Sequence, residues 1–390
     1  VHPLTPASRA YPWGSTRVIP DFLDSAPTGE PVAELWFGAH PSAPTPLPDG
    51  GDLATLLASD PEHHLGADVI ARFGLRLPYL LKLIAPQRPL SLQVHPNLEQ
   101  AKAGYQREQD LEVPAERRNY PDANHKPELV YALTTFDAVC GFRAPRRVAE
   151  LLDGLDAPLA RELATLLRST PGAPGVHAVF ARVLSGTCGS EVSALARECR
   201  VRLESGRSPS PRADRLVGLL DEQHPGDPGA VAALLLNPVT LQPGEAMFVP
   251  ADCVHSYLHG FGVELMANSD NVLRAGLTAK RVDVDELLAT VDCVAAPPIR
   301  IAAETDGDGT GVFYAPVDDF ELSVATVDRE SGRTLRGRGP RILLGLEGSL
   351  TVETQAGAHT LTQGEALFLS AGETPVRLTG TGRLVQAGVP

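Results

Sequence analysis

The chain has 390 residues, 43% of them apolar and 21% charged, with a formal net charge of −14. That length predicts two or three domains rather than one core, and no apolar run is long enough to form a membrane-spanning helix. The acidic balance argues against nucleic-acid binding, which needs a basic face, so a site for a small anion must gather its Lys and Arg locally.

The first residues, VHPLTPAS, have neither a basic start nor an apolar core, so no signal peptide is expected there. Cys140, Cys188, Cys199, Cys253 and Cys293 are widely spaced and contain no CxxC. They read as reduced cytoplasmic thiols, not a disulfide framework or a cysteine zinc site. A cytoplasmic protein is expected, monomeric or weakly self-associating.

In chain order, a short helix is predicted over Leu53–Ala58, followed by an apolar strand carrying Lys82. SLQVHPN (Ser91–Asn97) reads as a strand, and a second short helix is predicted near Glu99–Tyr105. From about Ala144 to Leu236 the pattern turns helical. Leu159, Leu163, Leu166 and Leu167 recur at helical spacing. Ser190 is the expected N-cap of a helix over Glu191–Leu203, and Ser210-Pro211 is a favoured cap and first-turn pair. Gly/Pro stretches at 170–175 and 225–229 separate these helices.

The stretch QPGEAMFVPA (Gln242–Ala251) aligns with TQGEALFLSA (Thr362–Ala371). Both have Gly-Glu-Ala, an apolar strand and a turn, which is the text of a hairpin-rich sandwich or small barrel. The predicted fold is mainly β with a helical insertion. It comprises a discontinuous metal-binding barrel (1–143 and 237–295), a helical domain (144–236) and a second barrel without metal (296–390). Position 255 is His in the first unit, and the corresponding 375 is Pro in the second.

Gln93 and His95 lie two apart on a strand, so they share a face. They are joined by Glu128 of NHKPE (Asn124–Glu128) and His255 of PADCVHSYL (Pro250–Leu258). Imidazole nitrogens with a carboxylate oxygen suit zinc and other divalent transition metals. Few protein ligands leave coordination positions open, the layout of a catalytic site. Cys253, two residues before His255, reads as a small apolar filler rather than a ligand.

The ordered phrases AYPWGS, AELWFGAHPS, LKLIAPQRPLSLQVHPN, NHKPEL and GFGVELMANSDNVLRAGLTAK are similar to those of class I mannose-6-phosphate isomerases of the cupin type. The resemblance runs almost end to end. Phe37 and Ala279 depart from the family's usual Met and Pro, but neither replaces a polar group. The resemblance implies two cupin-like barrels and a helical domain, with one divalent ion, zinc, on Gln93, His95, Glu128 and His255. It implies interconversion of mannose 6-phosphate and fructose 6-phosphate through a cis-enediol. His125, Lys126, Glu264, Asp270 and Arg274 are the candidates for the chemistry, with Arg274 the family's essential arginine. Ser91 and Lys82 match positions associated with the substrate phosphate. Tyr257 shares a strand face with His255 and could contact substrate, and Trp13 could form a pocket wall. Trp36 reads as packing, and Glu34 and His40 receive no role.

Two other readings stay open on the residues alone. One is a different metal-dependent cupin enzyme acting on sugars; the other is a catalytically silent sugar-phosphate-binding protein on the same fold.

Overall fold

Side chains on a strand alternate between faces, and here that alternation builds three sheets stacked with a block of helices. The computed structural model describes residues 1–305, 307, 309–328 and 332–390. One sheet has five strands, in the order Leu273–Gly276, Leu92–Val94, His255–His259, Phe136–Phe142, Leu236–Leu241. A second has seven: Ile299–Ile301, Ala246–Val249, Glu128–Ala132, Gly262–Ala267, Tyr79–Ile84, Glu34–Phe37, Ala7–Arg9. Their inner faces meet over Ile84, Val130, Phe136, Ala138, Val249 and Tyr257, giving a two-sheet barrel.

The outer faces are covered as well. Leu35, Phe37, Leu81, Leu83, Val263 and Leu265 on the back of the seven-stranded sheet share one cluster with Phe320, Leu322, Ile342 and Phe368 of the C-terminal unit. Leu92, Val94, Val139 and Leu273 share another with Leu159, Leu163, Phe180, Leu195 and Leu220 of the helices. Tyr79–Ile84 and Gly262–Ala267 are therefore buried at every position.

The helices in the middle of the chain are Pro145–Leu152, Pro158–Ser169, Ala173–Gly186, Gly189–Glu204, Pro211–Gln223 and the short Gly229–Ala232. Ser210 takes the expected N-cap position of Pro211–Gln223, though its side chain makes no capping hydrogen bond. Ser190 does not cap its helix: the N-cap is Cys188, whose backbone N–H donates to the Glu191 carboxylate at 2.9 Å. The acidic residue three places on determines where that helix begins. The earlier helices run Leu53–Ser59, capped by Asp52, and Leu98–Asp110, capped by Asn97 with Gln100.

The C-terminal unit is a nine-stranded sheet around its own core of Leu343, Val352, Leu367, Val376 and Leu384. The strand His2–Leu4 joins this sheet by pairing with Ala366–Leu369, so the first residues complete the last unit. The repeated Gly-Glu-Ala phrases form the same turn. Gly244 and Gly364 have φ of 90° and 82°, where a side chain would strain the backbone. Glu245 accepts from the Gln242 N–H at 2.8 Å, as Glu365 does from the Thr362 N–H at 2.8 Å.

Candidate metal centre and active site

Gln93 lies opposite Arg274 on one side and His255 on the other, and His255 lies opposite Cys140. Residues directly opposite share a sheet face, so Arg274, Gln93, His255 and Cys140 form one row on the inner face of the five-stranded sheet. The other sheet presents Trp36, Lys82 and Glu264 in register, with Glu128 one row away beside Met266. Polar side chains thus interrupt the barrel's inner faces where the two sheets open.

Two backbone carbonyls orient the imidazoles. His95 Nδ1 is 2.7 Å from the Asn271 oxygen, and His255 Nδ1 is 3.0 Å from the Cys253 oxygen. A carbonyl only accepts, so each ring carries its hydrogen on Nδ1 and turns an Nε2 lone pair inward. Those Nε2 atoms lie 3.1 Å from Glu128 Oε1 and 3.3 Å from Oε2. His95 Nε2 is buried and has no hydrogen-bond partner. A lone pair against a carboxylate oxygen repels it, and a cation between them removes the repulsion. His95, Glu128 and His255 offer donor atoms within 4.8 Å of one another. The Gln93 side-chain amide reaches the same point, its nitrogen 3.2 Å from His255 Nε2.

The electrostatics agree with a cation site. Burial, aided by the Lys126 charge, pushes His95 down to about 4, into the neutral form a metal requires. Burial opposes ionisation of Glu128, but His95, His255 and Lys126 outweigh it and hold the carboxyl well below its usual range. For His255, burial lowers proton affinity, yet the hydrogen bond and charge of Glu128 overcome it and raise the pKa. The imidazoles shift in opposite directions because Glu128 favours positive charge beside it more strongly at His255 than at His95, and a divalent cation would supply that charge.

Above these groups opens a pocket of about 550 Å³. Its floor is buried, with Glu128 at 1% exposure, Glu264 at 3% and Lys82 at 5%. Lys82 Nζ and Glu264 pair at 2.8 Å, and Lys82 lies 5.1 Å over the Trp36 ring. Trp36 Nε1 donates to Glu34 at 2.6 Å. Both members of the Lys82–Glu264 pair shift upward. Burial disfavours the Lys82 charge, but Glu264, Glu34 and Glu128 more than restore it. Burial, with repulsion from Glu128 and Glu34, raises Glu264 against the opposing pull of Lys82. Lys82 is thus a fixed cation and Glu264 a carboxyl with enhanced proton affinity.

Most residues singled out from the sequence line this pocket: Trp13, Lys82, Ser91, Gln93, Lys126, Glu128, Glu264, Asp270 and Arg274. Lys126 Nζ is 3.6 Å from Glu128 Oε1, and Asp270 is 3.5 Å from His40 Nε2. His95 and His255 lie beneath, fully buried. Tyr257 and His125 do not line it. The Tyr257 hydroxyl donates to Glu128 Oε2 at 2.9 Å, so it touches a candidate metal ligand. His125 Nε2 lies 2.9 Å from Asp319 Oδ2 of the C-terminal unit. The pocket also includes Tyr11, Glu34, His40, Arg88, Gln223, His224 and Lys280, which sequence reasoning left without a role. Among the described residues, no carboxylate lies within ion-pair distance of Arg88, Arg274 or Lys280.

Residues 1–145 match the family model of the phosphomannose isomerase type I catalytic domain, and residues 310–388 that of the mannose-6-phosphate isomerase cupin domain. The chain is 38% identical over 391 residues to the mannose-6-phosphate isomerase of Escherichia coli, covering 96% of each. It belongs to the mannose-6-phosphate isomerase family. The Rattus norvegicus member is 32% identical, with 96% of this chain and 94% of that one covered. Among solved structures, a mutant of phosphomannose isomerase from Salmonella typhimurium superposes with a TM-score of 0.91 at 35% identity, covering 100% of this chain and 99% of the other. A mannose 6-phosphate isomerase bound with zinc and yttrium gives 0.90 at 34%, with the same coverage.

Proposed function

We propose that this chain interconverts mannose 6-phosphate and fructose 6-phosphate, with zinc held by Gln93, His95, Glu128 and His255. The observation that carries the reading is the convergence of two carbonyl-anchored imidazole lone pairs on the Glu128 carboxylate, directly below a cation-lined pocket. A bound divalent cation supplies Lewis-acid polarisation of a sugar oxygen.

The protein's own groups do the rest. Lys82 and Lys126 keep positive charge beside the floor, where negative charge develops on the first two sugar oxygens. Glu264 holds the proton in transit between C1 and C2. It is buried, it lines the pocket, and its pKa is raised toward the range useful to a base. Asp270, exposed and nearer the entrance, is placed for ring opening, with His40 beside it. Lys82 is committed to Glu264, so the phosphate is assigned to the cations without carboxylate partners, Arg274, Arg88 and Lys280, with Ser91 donating a hydroxyl. Arg274 is half-buried, and its guanidinium forks onto two phosphate oxygens. Trp13, stacked 5.7 Å from Tyr11, walls the sugar. Tyr257 orients Glu128, and His125 braces the two barrels together.

A coupled assay for fructose 6-phosphate formation, run with and without chelator, tests this. Turnover that chelation abolishes and zinc restores is expected. Sugar-phosphate binding without turnover supports the silent binding protein instead.

A further inference from the structure

We infer that Cys140 and Cys253 are a redox modification site: a low-molecular-weight disulfide converts them to an intramolecular cross-link, which loosens the metal centre beside them. Their sulfurs are 3.6 Å apart. Cys140 is buried within the inner strand Phe136–Phe142, and Cys253 is partly exposed in the turn before His255. Gly141 beside Cys140 has a φ of +67°, a conformation that favours glycine and bends the strand next to the pair. A disulfide needs the sulfurs at about 2.05 Å, so each must move only a fraction of its own diameter.

The exchange balances without another reagent. Cys253 Sγ attacks one sulfur of the small disulfide, forming a mixed disulfide and releasing one thiol. Cys140 Sγ then attacks Cys253 Sγ, and the second thiol leaves. Two electrons pass to the reagent, and the two thiol protons leave with the released sulfurs. Attack begins at Cys253 because it is the more accessible of the two.

The turn yields, not the strand: Phe136–Phe142 is paired on both sides except for an irregularity at Cys140–Gly141, and there the Asn237 amide holds both carbonyls. That turn holds the His255 imidazole and the His95 main chain. The Cys253 carbonyl accepts from His255 Nδ1, and the Asp252 N–H donates to the His95 carbonyl at 2.7 Å. Pulling Cys253 toward Cys140 therefore disturbs the His255 ring directly and His95 through its main chain. The loss of metal rests on the proposed ligand role of His95 and His255; the cross-link itself does not, so the readouts separate the two.

The test uses zinc-loaded Cys188→Ala protein, which lacks the exposed thiol, incubated with oxidised glutathione. Non-reducing peptide mapping is expected to find the 140–253 peptide pair two hydrogens lighter than the free thiols. Metal affinity and activity should fall by about tenfold or more and return with dithiothreitol. Cys253→Ala in the same background should resist the treatment, its metal affinity and activity being the same with and without oxidised glutathione. The inference is overturned if no 140–253 pair forms, if it forms with metal content and activity intact, or if Cys253→Ala is inactivated equally.

Discussion

Arg274 stands directly opposite Gln93 on adjacent antiparallel strands. Strand spacing is about 4.8 Å, so the guanidinium and the proposed metal ligand cannot move independently of the sheet. Burial lowers the Arg274 pKa, but an arginine stays charged. A half-buried cation without a carboxylate partner is poised for a ligand anion. Arg274→Ala is expected to retain its metal and lose about 10²- to 10³-fold in kcat/KM. Metal analysis beside steady-state kinetics checks this; a normal rate removes Arg274 from the mechanism.

Tyr257 tests a different distance from the chemistry. It donates to Glu128 and does not line the pocket. Tyr257→Phe deletes one hydrogen bond to a proposed metal ligand and nothing that lines the pocket. Zinc affinity should fall by about 10- to 100-fold, while KM at saturating zinc stays unchanged. A raised KM with unaltered zinc affinity would instead make Tyr257 a substrate contact.

Glu264 gives a pH prediction whose sign follows from its environment. A base must be ionised, and burial raises the Glu264 pKa. The kcat profile should therefore rise with pH through a value above the ordinary carboxylate range, with activity lost as pH falls below it. Glu264→Gln keeps an acceptor for Lys82 but cannot take a proton. It should lower kcat by about 10²- to 10⁴-fold and abolish that acid limb. A residual activity with the same limb assigns the base elsewhere, and a melting curve shows whether loss of the Lys82 pair has unfolded the protein.

The second barrel shields the first. The back of the seven-stranded sheet, with Leu35, Phe37, Leu81, Leu83, Val263 and Leu265, is covered by Phe320, Leu322, Ile342 and Phe368. A chain ending before residue 296 should expose this apolar face and aggregate. Light scattering of the truncated protein checks the outcome; a soluble, fully active fragment contradicts it.

The parts of this site that sequence could reach are those written into local spacing. Gln93 and His95 alternate on one strand, and the Gly-Glu-Ala repeat announces its turn. Glu34, His40, Arg88 and His224 reach the pocket through strand register and loop packing between distant segments, which local spacing does not show even where, as for the first three, they lie in recognised phrases. Lys280 closes a recognised phrase, yet its exposure at the pocket mouth depends on the fold. His125 and Lys126 are neighbours that alternation sends to different partners, Asp319 and Glu128. Strands such as Tyr79–Ile84 are covered on both faces, so their apolar runs conceal the alternation that would have shown Lys82 facing inward. Tyr257 does share a direction with His255, but the core closes over it.

In the proposed function, His95, Glu128 and His255, with Gln93, hold one zinc ion on which turnover depends. The decisive measurement is elemental analysis of purified wild-type and His255→Ala proteins beside the coupled isomerase assay. About one zinc per wild-type chain is expected, with joint loss of zinc and turnover in His255→Ala. Full activity in a His255→Ala protein that holds no zinc would contradict it.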